Sequence, residues 1–190
     1  MNQIYLLIKK VIMEVSIVDT LDNADCRELG AEAIFTISSA KPGNGVEQLR
    51  DKNLETYWQS DGSFPHTINI QFRKKVAISK LCLYMDYSLD ESYTPKKIAV
   101  SSGTSTHDFA DITAIELNEP VGWVTLTFKG QNQTDTTETE ASDFLNTHAL
   151  QVKVQSMHQN GRDTHVRQIM ILGPRESQRI MGGIPYDRFK

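Results

Sequence analysis

The sequence predicts an all-β fold, an antiparallel β-sandwich with short helical turns and extended termini. Three observations lead there. Short runs of β-branched and apolar residues recur along the chain, turn-forming residues separate them, and helical periodicity is almost absent. About eight strands spaced in this way suit two packed sheets.

In chain order, 33–38 (AIFTIS) reads as a strand. One helical turn is expected at 45–50, ahead of the polar segment DKNLETYWQSDGS. The run TINIQF at 67–72 alternates Ile68 and Ile70 with polar neighbours, the period-two signature of a half-buried strand. Residues 76–86 are long and strongly apolar, and read as one central strand. Strands at 97–101, 112–117 and 124–128 follow, then the alternation Leu150-Val152-Val154 and the apolar run 166–172. The stretch QNQTDTTETEASD at 131–143 has no apolar period and reads as a flexible loop.

With 190 residues, 39% hydrophobic and 23% charged, the chain suits one domain with an ordinary core. We place that domain at 25–174, between a poorly ordered leader (1–24) and a flexible C-terminal tail (175–190). The net charge of −4 argues against a phosphate-neutralising surface, so nucleic acid is not an expected partner. The first apolar stretch is short and broken by Lys9-Lys10, so no membrane partner is expected either. Cys26 and Cys82 are far apart and imply no disulfide framework; Cys82 reads as a small core residue.

Loops held by a rigid sandwich are where binding side chains gather. Three stand out. The first is YWQSDG, in which Trp58 reads as closing the core or as a contact platform, and Ser60 and Asp61 as polar contacts. The second is DYSLDESYTP, an acidic-aromatic rim that includes Glu91, Ser92 and Tyr93 and could receive a basic side chain. The third is HQNGRDTH, with Gln159, Asn160, Gly161, Arg162, Asp163, Thr164 and His165. Its Asn-Gly pair predicts a two-residue hairpin turn joining the Val152/Val154 run to the Val166/Ile169 run. A turn does not require the flanking His158, Arg162, Asp163 and His165. A metal held by His158, Asp163 and His165 would need a spacing that matches no common zinc pattern, so no metal is predicted. Paired-carboxylate hydrolysis by Asp61 and Asp163 has no supporting signal, and no nucleophile elbow or phosphate-binding glycine loop is present.

Taken together, the run NLETYWQSDG, Pro65-His66 with INIQF, DESYTP followed by Lys97-Ile98, and HQNGRDTH resembles the DOC-domain family, in particular the DOC-domain subunits of the anaphase-promoting complex. Ser39-Ala40-Lys41-Pro42-Gly43 and 46–51 fit the same family, and the resemblance covers roughly residues 27–174. The resemblance implies a jelly-roll of the galactose-binding-like class, without catalytic residues or a cofactor. It implies a substrate co-receptor in a ubiquitin ligase of the nucleus and cytoplasm, with a propeller-type activator and destruction-box substrates as partners. It implies that the three loops share one end and form a degron-binding surface of Ser60, Asp61, Glu91, Ser92, Tyr93 and residues 159–165. It also implies a C-terminal tail docking in a helical-repeat scaffold subunit. Arg188, Phe189 and Lys190 are the candidates, although lysine stands where the family commonly ends in arginine and lacks its planar two-pronged donor. The alternative for the same fold is a carbohydrate-binding module, with Trp58 and the polar loops stacking on and hydrogen-bonding a sugar.

Overall fold

Alternation along the strands decides where the core lies. The structure is a computed structural model that describes residues 12–21, 24–129 and 144–175. In β5 (His66–Ile78), His66, Ile68, Ile70 and Phe72 point inward while their neighbours are part-exposed. This is the period-two pattern read at 67–72, in a longer strand. β10 (Leu145–Met157) buries Leu150, Val152 and Val154 in the same way.

Two five-stranded antiparallel sheets result. One runs β1 (Ile12–Val18), β9 (Val121–Lys129), β6 (Lys80–Asp86), β12 (Gln168–Pro174), β2 (Cys26–Glu28). The other runs β3 (Ala33–Ile37), β5, β10, β7 (Pro95–Gly103), β8 (Ala110–Glu116). A two-stranded ribbon of β4 (Trp58–Gln59) and β11 (His165–Val166) closes one end. Leu81, Leu83, Leu126, Ile169 and Ile171 of the first sheet meet Ile68, Ile70, Ile98, Val100 and Val152 of the second, all at 0–1% exposure, which makes one continuous core.

The helical turn predicted at 45–50 is α1 (Val46–Arg50). The Gln48 side chain accepts from the Gly45 N–H at 2.9 Å, satisfying a donor the first turn leaves free. Gln168 ties the end of α1 to β12: its amide donates to Gln48 O at 2.9 Å and to Asp51 Oδ1 at 2.7 Å, and its Oε1 accepts from Lys52 N at 3.0 Å.

Four expectations are corrected. Residues 76–86 are not one strand. β5 ends at Ile78, and Ser79 turns the chain into β6 of the opposite sheet, its N–H and hydroxyl both donating to Leu172 O at 2.8 and 3.0 Å. The expected leader 1–24 contains a strand: Ile12–Val18 pairs with β9 along its whole length. The strands exceed eight because two-residue and edge strands lack the period that marks the longer ones. Finally, the Asn160-Gly161 pair does not make a hairpin. β10 and β12 lie in different sheets, and the chain between them crosses the end of the sandwich. The expectations for 131–143, for 176–190 and for Arg188, Phe189 and Lys190 lie outside the described residues.

Register locates the two ends. Val154 pairs with His66, and Met157 with Pro95, at one end; Leu145 pairs with Ile78, and Ala149 with Gly103, toward the other.

Candidate functional site

The three polar loops all lie at the end marked by His66, Pro95 and Met157. Ser60, just after β4, exchanges two hydrogen bonds with Thr164: its N–H donates to Thr164 O at 3.1 Å, and its Oγ accepts from Thr164 N at 2.9 Å. The Thr164 hydroxyl donates to Tyr93 O at 3.3 Å, which joins the third loop to the second. Thr94 O accepts from His158 N at 3.0 Å, and the Gln159 amide donates to the Tyr87 hydroxyl at 3.1 Å. Asp61 is held by Ser39, whose Oγ accepts from its N–H at 3.1 Å. His66 Nε2 lies 2.7 Å from Arg162 O, fixing the third loop to the start of β5.

Why the third loop is not a hairpin is visible in its backbone. Gln159 and Asn160 take positive φ, 51° and 57°, while Gly161 is at −55°. The glycine is there for space. A Cβ on it would fall 1.8 Å from the backbone oxygen of Ser92. The close approach of the two loops therefore depends on a missing side chain.

Exposure sorts the predicted contact residues into two groups. Asp61, Glu91, Tyr93, Gln159, Asn160 and Arg162 are exposed, and Ser92, Gly161 and Asp163 are part-exposed. Ser60 and Thr164 are fully buried and His165 nearly so, so none of the three lies on the outer face. Asp163 Oδ2 sits 4.0 Å from Lys41 Nζ. Trp58 is fully buried and donates from its indole nitrogen to Ser39 O at 2.9 Å, so it closes the core and offers no platform. His158, Asp163 and His165 do not gather as ligands: among the described residues no group of three metal-binding side chains forms.

Beneath the surface lies a node that the sequence did not reveal. Asp90, at the end of α2 (Tyr87–Asp90), is buried in what reads as a solvated acidic loop. Arg167 grips it with two prongs, Nε to Oδ2 at 2.8 Å and Nη2 to Oδ1 at 2.9 Å. His165 Nδ1 meets Oδ1 at 2.9 Å. Burial pushes the Asp90 carboxyl up, but the hydrogen bonds from His165 and Arg167 and the guanidinium charge hold it below the ordinary carboxylate range. The same pairing raises Arg167 against the opposing effect of its burial. The His165 ring is stacked between Tyr57 and Tyr93, at centroid distances of 4.0 and 4.3 Å. Nearby, burial and then the Lys96 charge push His158 below the usual imidazole range, and its ring meets Tyr87 edge-on at 4.9 Å. The signal that would have exposed this node is the pairing of an acidic residue with Arg167, which lies 77 positions away.

The supporting role of Ser60 can be tested. Ser60→Ala removes the acceptor for a buried N–H, and we expect a stability loss of about 1–2 kcal/mol by urea unfolding. A variant unchanged in midpoint would show that this bond contributes nothing.

The fold and the family can now be stated. Carbohydrate-binding module domains of Clostridium perfringens superpose on the chain. The CBM32-1 and CBM32-2 domains of ZmpB do so with TM-score 0.67 at 11% identity, covering 85% of this chain and 41% of theirs. The family 32 module of NanJ, solved in complex with galactose, gives 0.60 at 9%, covering 76% of this chain and 97% of its own. At such identities the likeness establishes the fold alone, a galactose-binding-like jelly-roll. Sequence relatives are more informative. Anaphase-promoting complex subunit 10 of Mus musculus is 50% identical over 157 residues, 83% of this chain and 80% of that protein. The Schizosaccharomyces pombe protein of the same name is 40% identical, covering 84% and 81%. Anaphase-promoting complex subunit DOC1 of Saccharomyces cerevisiae is 32% identical, covering 83% and 60%. The family model for anaphase-promoting complex, subunit 10, matches residues 11–186, and the chain belongs to that family.

Proposed function

We propose that this chain is a non-catalytic, substrate-recognising subunit of the anaphase-promoting complex, acting in the nucleus and cytoplasm. It holds a destruction-box degron, an extended segment with an Arg-x-x-Leu core, jointly with a propeller-type activator. Covalent ubiquitin transfer belongs to other subunits. The C-terminal Arg188, Phe189 and Lys190 dock in a helical-repeat scaffold subunit.

The observation that carries this reading is convergence. Exposed Asp61, Tyr93, Gln159, Asn160 and Arg162 come from three separated segments and share one end of a rigid sandwich. Donors and acceptors placed in this way suit a peptide backbone and its polar side chains. A free degron is disordered, so binding must offset its ordering entropy, and one shallow surface binds weakly. Two surfaces on the same peptide share that cost, since the second contact forms at high effective concentration. Longer residence then raises the number of ubiquitins added per encounter.

Replacing Gln159, Asn160, Arg162 and Asp163 together by Ala should leave the fold and incorporation into the complex intact. It should weaken capture of a destruction-box substrate by about tenfold or more, with shorter ubiquitin chains per binding event. Undiminished processivity in the reconstituted ligase would remove this loop from the function.

A further inference from the structure

Beside the degron surface runs a groove of about 440 Å³, lined by Glu55, Tyr57, Glu91, Tyr93, His165 and Arg167 among others. Its chemistry is one-sided. Three carboxylates, Glu55, Asp90 and Glu91, face one guanidinium, Arg167. Asp90 consumes that guanidinium in its two-pronged pair. The side chains of Glu55 and Glu91 form no ion pair among the described residues. The groove therefore carries an excess of negative charge, and its walls include two tyrosine rings.

A second observation is independent of the carboxylates. His165 is nine-tenths buried and lines the groove. The ionised Asp90 can only accept, so His165 Nδ1 carries the hydrogen of that bond. Its Nε2 is buried and has no hydrogen-bond partner among the described residues, a cost that a polar group brought by a ligand relieves. Tyr93, the ring covering one face of His165, is 38% exposed.

We propose that this groove is a subsite for a basic side chain, arginine or lysine, of the bound peptide. The proposal rests on the peptide-binding reading above and extends it to a specified class of side chain. Tyr93, whose ring is 38% exposed, supplies a face for the cation, whereas Tyr57 is engaged by His165 and Arg167. Glu55 and Glu91 flank it, and His165 Nε2 accepts one of its N–H groups. An acidic side chain at the same position is repelled.

The test uses the full-length chain, isotope-labelled for NMR, and two single-residue probes. One is N-acetylarginine methylamide, and the other is N-acetylcitrulline methylamide, its neutral isostere. The arginine probe should shift the amides of Tyr57, Glu91, Ser92 and Tyr93 and bind about 5-fold more tightly than the citrulline probe. The preference should vanish in the Glu55→Gln/Glu91→Gln double variant. Equal response to both probes, or a preference that survives in the double variant, overturns the assignment. A destruction-box peptide is titrated in parallel and read at residues 159–162. Silence there, with the arginine preference intact, counts against degron binding and leaves the groove standing. The reverse result counts against the groove alone.

Discussion

Replacing Asp90 by Asn should destabilise the protein by about 3–5 kcal/mol, because it leaves the Arg167 guanidinium buried without its counter-charge. In thermal unfolding this corresponds to a drop in midpoint on the order of 10 °C. The size follows from burial: both side chains are almost fully enclosed, so water cannot replace the lost partner. Arg167→Met added to Asp90→Asn should recover part of the loss, since a buried pair replaced by apolar or neutral groups costs far less than one broken in half. The pH dependence follows the same logic. The folded Asp90 carboxyl lies below its ordinary range, so its stabilisation is present above the unfolded pKa of about 4 and lost as pH falls through the lower folded value. The variant should unfold with a shallower dependence on acid. A midpoint unchanged by Asp90→Asn would mean that the node does not brace the surface above it.

The second large effect is expected from Gly161→Ala. One methyl group would stand 1.8 Å from a backbone oxygen that is not the mobile end of any side chain. Relief requires moving the 158–163 loop away from Ser92, at a cost of about 3 kcal/mol. Stability is the smaller consequence. Asn160 and Tyr93 would separate, and a peptide spanning both would lose one set of contacts. NMR should show amide shifts confined to 91–94 and 157–164, and destruction-box capture should fall by at least tenfold. If capture is retained while those shifts appear, the close approach of the two loops is not what binding uses.

These two residues also show what was legible in the sequence. Strong alternation gave the middle of β5 and of β10, where buried and part-exposed residues alternate, but not their full length. β1 was hidden within an apparent leader. Its Val15 and Ile17 are exposed, so no buried face stamps a pattern on it. Residues 76–86 read as one strand because the change of sheet occurs at Ser79 without a glycine or proline to mark it. The Asn-Gly pair was a true signal of unusual backbone, but positive φ fell one residue early and the glycine serves close packing. Asp90 looked like part of a solvated rim, since local composition cannot report a partner that lies much later in the chain, between β11 and β12. The three polar loops were readable as sequence features; which of their residues are enclosed and which face outward required the fold, and Ser60, Thr164 and His165 are enclosed.

A likeness in fold to galactose-binding modules carries no argument for sugar here, and Trp58, the ring the sequence offered for stacking, is enclosed in the core.

The most direct measurement places a photo-crosslinking residue in turn at Asp61, Asn160 and Thr106 in the reconstituted ligase with its activator and a destruction-box substrate. Thr106 is exposed in the loop after β7, at the opposite end of the sandwich. Capture of substrate from positions 61 and 160, abolished when the Arg and Leu of the degron core are replaced, with none from 106, is the predicted result. Equal capture from 106, or none from 61 and 160, would contradict it.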